Sequence, residues 1–137
     1  MKKLIIGCLL LSACASKTPA RVQISLVDHN RSLKISGIEY TAIAENGNDT
    51  SQAFWQTVIP VYKMPADTDM KNLQPVQHGK YMASGADILF TPDTPFVKNQ
   101  QYFTRYYDYS GGEDVLRVAK SGGRLGNAPY IELIFRY

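Results

Sequence analysis

The chain has 137 residues, 45% of them hydrophobic and 20% charged, with two cysteines and a formal net charge of +3. That is enough apolar material for one packed domain. Two cysteines cannot make a disulfide scaffold, and so small a positive excess argues against a nucleic-acid partner. From the amino terminus, Lys2 and Lys3 precede an apolar run over residues 4–11, followed by Ser12, Ala13 and Cys14. The run is too short to span a bilayer, and the order of charge, apolar core and small residues predicts a secretion signal.

Leu11-Ser12-Ala13-Cys14 resembles the lipobox of bacterial lipoproteins. The resemblance implies that residues 1–13 are removed, that the Cys14 thiol is diacylglycerated and that its new amino group is acylated. Each buried acyl methylene contributes about 0.8 kcal/mol, so two or three chains make a lasting anchor where one does not. The partner so implied is a membrane. Ala15 and Ser16 offer no retention aspartate, which in lipoproteins of the enterobacterial type implies sorting to the outer membrane. Cys8 leaves with the signal, and loss of Lys2 and Lys3 takes the formal charge from +3 to +1. Residues 14–21 then form a lipidated tether, reaching roughly 25 Å when extended, and residues 22–137 form one domain that has no disulfide.

Alternating apolar residues predict that this domain is all-β. Val22, Ile24 and Leu26 make a first strand, and residues 28–32 a polar turn. Leu33 and Ile35 share one parity, whereas Ile38, Tyr40, Ala42 and Ala44 share the other, so Gly37 marks a bulge or a strand break. Residues 45–51 are a turn by composition. Phe54, Trp55, Val58, Ile59, Val61 and Tyr62 then read as a longer strand, with Pro60 at an edge or bulge. Residues 65–79 are polar and aperiodic, a loop with a single helical turn over 67–73. Residues 81–90 form a hairpin about Ser84-Gly85.

The run from Ile88 through Pro92, Pro95, Phe96 and Asn99 to Tyr102 is a strand, a proline turn, an apolar plug, a polar turn and a tyrosine opening the next strand. It resembles the corner between the fifth and sixth strands of bacterial immunoglobulin-like and fibronectin type III domains. The resemblance makes Phe96 the plug and Tyr102 the corner tyrosine, whose hydroxyl bonds backbone. The strand continues to Tyr109. Turns follow at 110–114 and 121–127 around a short strand at 115–119, and residues 130–137 form the last strand. The expected fold is a single immunoglobulin-like β-sandwich of about seven strands, with a small β-barrel as the alternative.

Alternation over residues 102–109 puts Tyr102, Thr104, Tyr106 and Asp108 on one face and Phe103, Arg105, Tyr107 and Tyr109 on the other. Since a sandwich strand turns one face to the core, exposed rings are expected. Arg105, Tyr106, Tyr107 and Tyr109, with Trp55, are therefore the candidate ligand-binding residues, suited to a glycan or a peptide of an envelope protein. No metal or cofactor is expected. Asp49, Asp67 and Asp69 lack the glycine and distal glutamate of a calcium loop, and His29 and His78 stand alone. Gly122-Gly123-Arg124-Leu125-Gly126 lacks the strand–helix setting of a phosphate cradle. No catalytic residue is assigned; Glu132 and Asp87 are acidic residues that only the fold can bring together. Ser36-Gly37-Ile38-Glu39-Tyr40 resembles one motif of membrane-bound lysozyme inhibitors, without that family's companion motif or cysteines. The leading expectation is a non-enzymatic lipoprotein serving as a binding or scaffolding module. Glycan or peptide recognition and inhibition of a cell-wall lytic enzyme are the alternatives.

Overall fold

A computed structural model describes residues 21–38, 52–107 and 129–137. Strands β1 (Gln23–Val27) and β2 (Ser32–Ser36) form the first hairpin, in register Val27↔Ser32. Its turn runs through Asp28, His29 and Asn30 at φ 52°, 54° and 64°, a left-handed path that Asp, Asn and His tolerate better than most residues. Gly37 ends β2 at φ +78°, where an added Cβ would stand 2.6 Å from the Arg21 carbonyl oxygen. Both the backbone angle and the close approach require glycine. The parity change after Ile35 is thus a strand break, and it needs no inhibitor motif; Glu39 and Tyr40 lie outside the described residues.

The predicted strand over residues 54–62 is instead a helix and a short strand. Helix α1 (Gln52–Val58) buries Phe54, Trp55 and Val58, and the Ile59 N–H donates to the Trp55 carbonyl at 2.7 Å. Pro60 then ends it, since it has no N–H to continue the ladder, and β3 (Val61–Lys63) follows. Residues 65–78 contain a 3-10 helix (Thr68–Leu73), where Asp67 accepts from the Asp69 N–H at 3.0 Å. Asp67 therefore acts as a helix cap. β4 (Gly79–Ser84) and β5 (Asp87–Pro92) form the expected hairpin, with Gly85 at φ +62°. β6 (Gln101–Tyr107) and β7 (Tyr130–Arg136) complete the fold. Of the strands expected at 38–44 and 115–119, residues 39–44 and 115–119 lie outside the described residues, and Ile38 is buried just past the end of β2.

All pairings among the described strands are antiparallel, in sheets of order β1-β2-β5-β4 and β3-β6-β7. The protein is therefore an all-β sandwich of seven described strands in two sheets. Lettered A to G in chain order, the seven described strands form sheets A-B-E-D and C-F-G. Leu33, Ile35, Ile88, Phe90 and Tyr81 from the first sheet meet Val61, Tyr102 and Tyr106 from the second, with α1 packed among them.

Between β5 and β6 the chain is held by two local contacts of Tyr102. The Tyr102 hydroxyl accepts from the Val97 N–H at 2.9 Å, and Phe96 is buried with its ring 4.9 Å from that of Tyr102. A second buried tyrosine ties α1 to the first sheet: the Tyr81 hydroxyl donates to the Ile59 carbonyl at 2.8 Å. Burial pushes its phenol far above the ordinary value of 10.0, and nearby Tyr62 adds to the rise. The native state thus keeps a proton that the unfolded chain releases above pH about 10, and stability falls as pH rises through that point. Between pH 10 and 11 the unsubstituted protein is expected to lose about 1 kcal/mol more than a Tyr81→Phe variant. Urea midpoints at the two pH values measure the difference, and parallel losses would remove the assignment.

Candidate functional site

The candidate residues converge on β6, where alternation places Tyr102, Thr104 and Tyr106 inward and Phe103, Arg105 and Tyr107 outward. The outward face was expected to be exposed. It is covered: Arg105 is 9% exposed, Tyr106 and Tyr107 are each 7%, and Phe103 is fully buried. Trp55 is also buried, at 2%, inside α1. Tyr109 lies outside the described residues. The exposed aromatic strand expected from the sequence is therefore corrected to one buried on both sides.

Neighbouring strands and the 65–78 connection cover that face. In register, Tyr62 of β3 stands beside Phe103, Glu132 of β7 beside Arg105, and Tyr130 beside Tyr107. Tyr62 stacks on Phe103 with ring centroids 4.9 Å apart. Across these rings lies the 3-10 helix, whose Lys71 Nζ sits 4.7 Å from the Phe103 centroid. Lys71 also pairs with Glu132 Oε1, and Arg105 Nε donates to Glu132 Oε2 at 3.2 Å. Arg105 Nη2 donates to Asn72 Oδ1 at 2.7 Å, while its guanidinium lies 4.7 Å from the Tyr130 ring centroid.

One carboxylate thus bridges two cations, and Arg105 bonds both a strand and the connection laid over it. Burial works against the charged guanidinium, but the hydrogen bond to Glu132 and the nearby Tyr130, Glu132 and Tyr107 outweigh it, so the Arg105 pKa is raised. Chemically this is a clasp. Its charged groups are turned on one another, and the aromatic faces that would stack on a sugar are occupied by Lys71, Arg105 and Tyr62.

Sequence reasoning named Arg105 but missed Lys71, Asn72 and Tyr62 as its company. Glu132 and Asp87 are not brought together: Asp87 opens β5 opposite Ser84 in the other sheet, and Glu132 faces Arg105. An available signal was the opposite charge of Arg105 and Glu132 on two predicted strands, since facing pairs of that kind stabilise antiparallel sheets. Elsewhere, His29 is 3.9 Å from Asp28 Oδ1 at the exposed first turn, and His78 Nδ1 is 3.4 Å from Gln56 Nε2. Among the described residues no three or more His, Cys, Asp or Glu side chains gather to hold a metal ion, and no helix is long and apolar enough to cross a membrane. No family model, curated protein or solved structure matches the chain.

Proposed function

We propose that the chain is a lipid-anchored lipoprotein of the bacterial envelope, held by acyl groups on Cys14, whose immunoglobulin-like sandwich is a non-catalytic binding or scaffolding module. The observation that carries this reading is the lipobox, Leu11-Ser12-Ala13-Cys14, nine residues before the start of β1 at Gln23. So short a tether keeps the sandwich within roughly 25–30 Å of the bilayer. The A-B-E-D and C-F-G strand order, with the Phe96–Tyr102 corner, supports the immunoglobulin-like assignment. Absence of a retention aspartate after Cys14 favours the outer membrane.

A binding role, if it uses this face, works through the exposed rim of the clasp rather than through Tyr106, Tyr107 or Trp55, which are buried. Expression of the full chain with radiolabelled palmitate tests the anchor. Label is expected in the unsubstituted protein and in the membrane fraction. A Cys14→Ser variant is expected to carry none and to leave that fraction; equal labelling of both would refute the assignment.

A further inference from the structure

Among the described residues, two of the four sheet edges are closed by the chain itself. On β4, the Tyr81 N–H donates to Gln52 Oε1 at 2.6 Å and its carbonyl accepts from Gln52 Nε2 at 2.9 Å, so a side-chain amide stands in for a neighbouring strand. On β3, Tyr62 bridges Val76 and the Gln77 N–H donates to the Val61 carbonyl at 2.7 Å. The third edge, β1, presents polar Gln23 and Ser25.

The β7 edge is different. Tyr137 uses its N–H and carbonyl on Gln100 and Asn99. Because backbone groups alternate in direction along a strand, those of Glu132, Ile134 and Arg136 point away from β6. Among the described residues no strand pairs with them, and the strand exposes Ile131 at 47% and Ile134 at 50%. An edge strand whose outward backbone groups no described strand pairs is a template for another strand.

We propose that β7 pairs antiparallel with β7 of a second copy, about a two-fold axis at Ile134. The strand's own sequence selects that register. An axis at Glu132 sets two carboxylates directly opposite, and one at Arg136 sets two guanidinium groups opposite, both unfavourable. Axes at Leu133 or Phe135 leave Glu132 or Arg136 facing isoleucine. Only the axis at Ile134 puts Glu132 opposite Arg136, Leu133 opposite Phe135 and Ile131 opposite Tyr137, with the two Ile134 side chains together. Glu132 remains 23% exposed, and a carboxylate has about four acceptor positions, so its own-chain bonds leave room for the second copy's Arg136. The paired strip is roughly 23 Å long and one strand deep, below the size of a standard interface. Association is therefore concentration-dependent and reversible.

Cysteine cross-linking in the full-length chain tests the register. In hydrogen-bonded antiparallel pairs facing Cα atoms lie about 5.5 Å apart, within disulfide range. Under mild oxidation, Ile134→Cys is expected to give a disulfide between the introduced thiols of two copies, located by peptide mass spectrometry. Ile131→Cys, at a similarly exposed position, sits roughly 20 Å from its counterpart in this register and is expected to cross-link at least tenfold less. Both replace exposed side chains, so the fold is retained. Equal yields at the two positions, a higher yield at 131, or no disulfide at 134 overturns the proposal.

Discussion

Glu132→Gln is expected to lower the unfolding free energy by about 2–3 kcal/mol, read from urea denaturation at neutral pH. Among the described residues the carboxylate is the one acceptor that Lys71 and Arg105 share, and Arg105 has only 11% of its side chain exposed. Removing one partner of a buried ion pair typically costs about 3–5 kcal/mol, because the other charge stays behind without compensation. Partial exposure of Lys71 and Glu132, at 21% and 23%, places the expectation just below that range. Removing Arg105 as well reduces the loss: Arg105→Met with Glu132→Leu is expected to recover part of it, since an apolar pair fits among Phe103, Tyr62 and Tyr130 and the one cation left without the carboxylate, Lys71, is 21% exposed. A cost below about 0.5 kcal/mol for Glu132→Gln would mean that the pair behaves as a solvated surface bridge. The 3-10 helix would then not be clasped to the sheet.

Trp55→Ala is expected to cost more, about 3–5 kcal/mol, the range for removing a large aromatic side chain from a packed core. Trp55 is the single tryptophan of the chain, 2% exposed, and its ring meets Phe54 edge-on with centroids 5.3 Å apart. Collapse around the vacancy is limited, because α1 is fixed at one end by Gln52 on Tyr81 and beyond the other by Tyr81 on Ile59. The same burial predicts tryptophan emission shielded from acrylamide in the native protein. Emission quenched as in the free amino acid, with a stability cost under about 1 kcal/mol, would place Trp55 at the surface and restore it as a ligand contact.

What the sequence made legible follows the range of the interactions. Local punctuation located both hairpins: polar residues over 28–31 turn β1 into β2, and Gly85 turns β4 into β5. The corner was readable because its proline turn, plug and tyrosine lie within one short run. Helix α1 was missed although Phe54, Trp55, Val58 and Ile59 are spaced i, i+1, i+4 and i+5, a helical stripe. Phe, Trp, Val, Ile and Thr are also strand formers, and that propensity masked the period.

The clasp was illegible for another reason. Lys71 and Glu132 are 61 residues apart and Arg105 and Asn72 are 33 apart, so only the sheet register and the docking of the 3-10 helix bring them together. Alternation along β6 correctly sorted its residues into two faces. It could not show that a polar connection would cover the second face and make both of them interior.

The mass of the amino-terminal peptide, from protein extracted out of membranes, tests the anchored-sandwich account most directly. The account predicts a peptide beginning at Cys14 and carrying a diacylglycerol thioether with an acylated amino group. A peptide beginning at Met1, with an unmodified thiol at Cys14 and the protein recovered from the soluble fraction, would contradict it.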